Sequence, residues 1–186
     1  MMRPCAARAV ACSVMAVNIA AAMPLWAQPS LEYGVKAALL LNFARFIEWP
    51  DRAFADASAP INVRVFGGNP FGDTLERTLS GETIGSHSLA ARHVKSVAES
   101  TACHMVFVPA GSESRATAIL QQQGSYAVSV GESERFENMG GAVTLVLEEG
   151  RVRFKVNLRP VERRGIRISA RMLQLASRVE RATPDK

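Results

Sequence analysis

The chain has 186 residues, 48% of them hydrophobic and 21% charged, with a net charge of +5. That length suffices for one domain with a full core. Beyond residue 27 no apolar run is long and uncharged enough to cross a membrane, because Lys36, Asn42 and Arg45 interrupt the best candidate, Val35 to Ile47.

The first element is an export signal over residues 1–27. Arg3 and Arg8 give it a basic start, and Ala9 to Ala22 carries no charge. Pro24-Leu25-Trp26-Ala27 then places a small residue before a cut, with Gln28 as the new N-terminus. The alternative is an uncleaved anchor, which the short apolar run and Pro24 and Pro29 disfavour. Cys12 comes too early to mark a lipoprotein cut. The expected mature chain, 28–186, is a single domain in an oxidising compartment. Cys103 is its one cysteine, which excludes an internal disulfide. In Cys-His-Met-Val-Phe-Val it reads as a buried small hydrophobe.

Helical spacing predicts a helix from Leu31 to Glu48. It is apolar on nearly all sides, so it is buried or packs on a partner. Trp49-Pro50 ends it. Ile61–Phe66 alternates as a strand. Gly67-Gly68-Asn69-Pro70-Phe71-Gly72 turns the chain into a helix near Thr74–Leu79, with Asn69 as its cap. A strand is expected within Ser88–Val97, another at His104–Val108, a helix at Glu113–Gln122 and a strand at Tyr126–Val130. Glu134–Asn138 reads as a short turn or helix that ends at Gly140-Gly141. Ala142–Leu147 and Val152–Asn157 read as a hairpin turning at Glu149-Gly150. Ser169 caps a last helix that runs to about Arg181. Strands alternating with helices imply an α/β fold: one three-layer domain, a mostly parallel sheet, an antiparallel C-terminal hairpin and a long N-terminal helix.

Charge is uneven along the chain. Residues 28–150 hold 9 basic and 14 acidic side chains, whereas 151–186 hold 11 basic and 3 acidic. A basic end binds nucleic acid, an anionic membrane or an acidic partner, and export disfavours nucleic acid. On the expected last helix Arg171, Gln174, Arg178 and Arg181 share a face suited to carboxylates. Leu40 and Phe43, on the over-apolar first helix, are the companion candidates for a homodimer or partner interface. Gly140, Gly141, Asn157, Arg159 and Ser169 are candidates for a small-ligand crevice at the carboxyl ends of strands.

Catalytic chemistry is not evident. The glycine turn at 67–72 is neither a Walker loop nor a dinucleotide fingerprint. His87, His93 and His104 fit no metal spacing. Ser112 and Ser114 lack the nucleophile-elbow pattern. No catalytic residue, cofactor or metal is therefore expected.

The run Tyr33-Gly34-Val35-Lys36-Ala37-Ala38-Leu39-Leu40-Leu41-Asn42-Phe43-Ala44-Arg45-Phe46-Ile47-Glu48-Trp49-Pro50 resembles the opening signature of the YfiR family. Cys103-His104, Phe136 with Gly140-Gly141, Val152–Asn157, Arg163-Arg164-Gly165-Ile166-Arg167-Ile168-Ser169, and Leu173 with Leu175-Ala176 follow in the same order. The likeness spans about Leu31 to Val179. It implies a non-enzymatic periplasmic regulator that binds the periplasmic sensing domain of an inner-membrane diguanylate cyclase. Such a regulator represses the cyclase and lowers cyclic-di-GMP and biofilm formation. The resemblance also implies an outer-membrane lipoprotein as a further partner. The family's redox control by additional cysteines is expected to be absent or intermolecular here, since Cys103 is the one cysteine of the mature chain. A periplasmic small-molecule sensor acting with a histidine kinase or transporter is the alternative reading.

Overall fold

The computed structural model describes residues 31–100, 103–122 and 126–181. The expected export signal and its cut near Ala27 lie outside them. In chain order the elements are α1 (Leu31–Phe46), β1 (Ile47–Glu48), β2 (Ile61–Phe66), α2 (Thr74–Leu79), β3 (Thr83–Ile84), β4 (His87–Val94) and β5 (Met105–Val108). There follow α3 (Ala116–Gln122), β6 (Val128–Gly131), α4 (Glu134–Asn138), β7 (Val143–Glu148), β8 (Arg151–Asn157), α5 (Arg159–Glu162), β9 (Arg167–Ile168), α6 (Ala170–Leu175) and β10 (Arg178–Glu180).

Strong helix formers, Ala, Leu and Lys, drive α1. Glu32 in its first turn and Arg45 in its last suit the helix dipole. It stops two residues earlier than its spacing predicts. Ile47 and Glu48 pair instead with Ile168 and Arg167, antiparallel, in a two-stranded ribbon. Asn69 also departs from expectation. Its Oδ1 accepts from Phe71 N at 3.2 Å and its Nδ2 donates to Gly72 O, so it closes a turn ahead of α2.

Among the described residues eight strands form one sheet, ordered β10-β8-β7-β6-β5-β2-β4-β3. β4, β2, β5, β6 and β7 run parallel. β8 returns antiparallel to β7. The hairpin turn is the expected one: Glu149 and Gly150 both have positive φ, 50° and 72°, which matches the strand twist. Helices cover both faces. Ala37, Leu40 and Phe43 of α1 pack with Leu75, Leu79 and Met172 over Val63, Phe107, Val130 and Phe154. Ile119 and Phe136 close the opposite face over Phe66, Val94, Val106 and Val108. This is the expected three-layer α/β arrangement. Phe136 sits so close to the backbone at Gly141 that an added Cβ would come within 2.0 Å of its ring.

The end of the chain corrects the helical expectation. Ser169 does cap a helix, accepting from Met172 N at 3.4 Å, but α6 ends at Leu175. Ala176 is extended, and residues 178–180 form β10, parallel to β8. The free edge of β8 supplies the cause. Ser177 N donates to Phe154 O and Leu158 N to Glu180 O, both at 2.9 Å, while Val179 packs on the core. A helical continuation would leave that edge unpaired.

Candidate functional site

The sequence topology creates a switch point. From β2 the chain crosses to β4 on one side, then returns to place β5 on the other. Ligands of open α/β sheets bind outside the carboxyl ends of strands at such a point. Here α1 closes that end. Glu132 directly follows β6 and is buried, with a side chain 4% exposed. Lys36 of α1 forms an ion pair with it and also reaches Glu32 at 2.6 Å. Tyr33 OH donates to Glu132 Oε1 at 3.0 Å, and Ala110 N–H, just past β5, donates to the same oxygen at 2.7 Å. Burial, then the Glu132 carboxylate, push the Tyr33 phenol well above its ordinary pKa, so it stays a neutral donor. The cluster fastens the N-terminal half of α1 to two parallel strands. A lone lysine inside an apolar helix was the sequence signal for it, since a buried ammonium needs a carboxylate.

The amino ends of the same strands are closed by aromatic and imidazole rings. Phe54 stacks on His87 at 3.9 Å between centroids and on His104 at 4.5 Å. Trp49 stands edge-on to His104, and its Nε1 donates to Tyr126 O at 3.0 Å. Asn62 N–H donates to His104 Nδ1 at 3.0 Å, which leaves Nε2–H to donate to Ala53 O at 3.1 Å. That tautomer is neutral, and burial holds the His104 pKa below the ordinary value. Spacing alone does not bring His87 and His104 to one residue, Phe54. His93 lies apart, with Nε2 2.5 Å from Gly67 O. Among the described residues no three His, Cys, Asp or Glu side chains are grouped to hold a metal. A solvent-open recess of about 500 Å³ lies beside the stack, lined by Asp51, Phe54, Asp56, Ser86 and His87 among others.

The crevice candidates separate. Gly141 and Asn157 do line one cleft, with Glu137, Lys155 and Arg178, but its volume is only about 10 Å³. That is room for about one water, not a metabolite. Gly140 is exposed at positive φ beside it. Asn157 Oδ1 accepts from Arg159 N at 3.1 Å, while Ser169 sits elsewhere, its N–H on Phe46 O.

The partner candidates also separate. Leu40 and Phe43 are 0% and 1% exposed, so their side chains are core and not surface. Much of the apolar surface of α1 packs on the sheet below and the helices on either side, while Leu31 and Val35 near its start stay exposed. Arg171 and Gln174 are exposed on α6, whereas Arg178 lies on β10 and Arg181 just after it. The four are thus divided between α6 and the β10 segment rather than sharing one helix face. Arg178 is held by Glu180 at 2.6 Å and approaches Glu137 at 4.0 Å. Leu175, 68% exposed, stands between Arg171 and Arg178 in the chain. Cys103 is buried, donates to Ser100 O, and has its thiol pKa pushed up to about 12 by burial, which makes it unreactive.

A family model described as YfiR/HmsC-like matches residues 33–177. Among solved structures, a conserved domain protein from Vibrio cholerae O1 biovar El Tor superposes with a TM-score of 0.53 at 10% identity, covering 80% of this chain and 60% of that one. An ABC domain in complex with L-Trp from Streptococcus pneumonia gives a TM-score of 0.50 at 11% identity, with coverage of 80% and 60%. At these identities the two structures show a shared fold alone, and the chain spans about 60% of their length. No curated protein matches the chain.

Proposed function

The chain belongs to the YfiR/HmsC-like family, and on that premise we propose that it is a non-enzymatic periplasmic repressor of a diguanylate cyclase. It binds the periplasmic sensing domain of an inner-membrane cyclase and lowers cyclic-di-GMP and biofilm formation. The observation that carries this reading is the family match across residues 33–177, which includes the Tyr33–Lys36 segment and α6 and stops just before β10. The physical picture supports a binding protein. The rings and ion pairs at the strand ends are spent on holding α1 and the loop after it, not on a reacting centre.

The partner surface in this reading is the exposed C-terminal segment of α6 and β10: Arg171, Gln174 and Leu175 on α6, Arg178 on β10 and Arg181 just after it. Guanidinium groups around an exposed leucine suit a partial-apolar, acidic face, with arginine among the residues that dominate interface energies. An outer-membrane lipoprotein that sequesters the regulator, and a homodimer, are further parts of the proposal.

The deciding measurement is cellular cyclic-di-GMP in a deletion strain. Complementation uses the exported chain and a version lacking residues 1–27. A rise on deletion, corrected only by the exported form, supports periplasmic repression. No change under expressing conditions overturns it. A sensor of small molecules is the second reading, favoured by the recess beside Phe54 and His87. A thermal-shift screen of metabolites on the exported chain tests that reading.

A further inference from the structure

The two edges of the sheet are finished differently. At the β10 edge two arginines have carboxylates: Arg153 with Glu148 at 3.7 Å and Arg178 with Glu180 at 2.6 Å. At the other edge β3 covers β4 only at its start, pairing Thr83 with Ser88 and Ile84 with His87. From Ala90 to Val94 no described strand lies outside β4. Strand alternation fixes which backbone groups face out. Leu89 N donates outward to Glu82 O, and Val94 O accepts inward from Gly67 N. Ala91 and His93 therefore share the outward parity of Leu89, with N–H and C=O aimed away from β2.

Charge on this edge is uncompensated. Arg64 of β2 and Arg92 of β4 are in direct register, so their side chains rise side by side on one face. Like charges so placed repel. Arg64 is partly buried and, among the described residues, donates to neutral oxygens, Val63 O at 3.5 Å and Asn62 Oδ1 at 3.3 Å. No carboxylate among the described residues pairs with Arg64 or Arg92. Lys95 follows at the strand's end and is exposed. Glu76 of α2 lies near Arg92 in a narrow cleft but forms no ion pair with it.

We propose that β4 is a docking edge for an extended acidic segment of a partner protein, which adds as a further strand along Ala90–Val94. Main-chain bonds to Ala91 and His93 supply affinity, as in other strand additions. A carboxylate in register with Arg92 lands on the face that holds Arg64 and Arg92 and neutralises the pair. This edge is separate from the β10 surface assigned to the cyclase, and the inference does not depend on that assignment.

The test uses the exported chain and a synthetic nine-residue peptide of alternating Glu and Val, with the Gln-for-Glu peptide as control. Binding is read by calorimetry, and amide exchange reports Ala91 and His93. The acidic peptide is expected to bind and to protect those two amides, and the Gln peptide to bind at least about tenfold more weakly. Arg92→Glu should reverse that preference in favour of a Lys-for-Glu peptide. Ala91→Pro removes an outward N–H and should abolish binding while the melting temperature holds, since edge strands tolerate proline. Arg171→Glu/Arg178→Glu should bind the peptide as the parent does. Absence of binding, equal binding by Arg92→Glu, or loss only in Arg171→Glu/Arg178→Glu overturns the proposal. Cyclic-di-GMP levels, read separately in the deletion strain, judge the repressor reading, so the two fail independently.

Discussion

The carboxyl and amino ends of the parallel strands are closed by opposite chemistry on one continuous stretch of chain. Tyr33 and Lys36 fasten the start of α1 to Glu132 through charge. Trp49 and the Phe54 loop fasten its far end through rings and a neutral imidazole. A buried ion pair costs desolvation and is costly when half-removed, whereas a ring stack depends on area and shape. The two ends therefore differ in what breaks them: loss of one charged partner at the first, protonation at the second.

The largest effect is expected at the charged end. Glu132→Ala strands the Lys36 ammonium, the Tyr33 hydroxyl and the Ala110 N–H, and should cost about 3–5 kcal/mol in urea unfolding. Lys36→Met with Glu132→Leu removes both charges and should recover most of that loss. A double variant as unstable as Glu132→Ala would mean that the cluster acts by shape and not by charge.

The neutral end should respond to pH. The folded pKa of His104 lies below its ordinary value because burial penalises the charged ring, with His87 and Arg64 adding smaller effects in the same direction. Its neutral form is thus the one the fold favours. The stabilisation is complete above the unfolded histidine value of about 6.5 and is lost as pH falls from there through the folded value. Below that, Nδ1 carries a proton facing the Asn62 N–H, two donors with no acceptor. Melting temperature should fall more steeply between pH 7.5 and 5.5 in the parent than in His104→Asn, which keeps an acceptor and cannot titrate. At neutral pH, His104→Ala should cost about 1–3 kcal/mol, since the Asn62 N–H and Ala53 O lose their partner. Parallel pH curves would remove His104 as the sensitive group.

The two ends also differ in how far the sequence announced them. Alternation in Ile61–Phe66 and the Glu149-Gly150 turn are local signals, and each gave its element directly. Lys36 was visible as a charge in an apolar helix, but Glu132 is 96 residues away and only folding pairs them. Phe54 sat in a stretch of small residues with no periodicity, so its place between two histidines was illegible. The last helix misled for a tertiary reason. Met172, Leu173, Ala176 and Val179 fit helical spacing, yet the unpaired edge of β8 recruits residues 178–180 as a strand. Leu40 and Phe43 failed as surface candidates for a related reason. A helix packed over a sheet between two other helices buries more than one face.

The smallest stability effect is expected where neither kind of closure operates. Arg178 is exposed, and its ion pairs with Glu180 and Glu137 are solvent-screened. Reversing it together with Arg171 should therefore shift unfolding by no more than about 0.5 kcal/mol per site. A change that leaves the fold intact isolates the surface. If the β10 edge meets an acidic sensing domain, Arg171→Glu/Arg178→Glu loses association rate and shows a flattened salt dependence, because exposed charges act mainly through steering. Cyclic-di-GMP should then rise toward the deletion level although the folded protein is still exported. Full repression by this variant would move the cyclase contact away from the arginines, while the two ends of the sheet would keep their roles in stability.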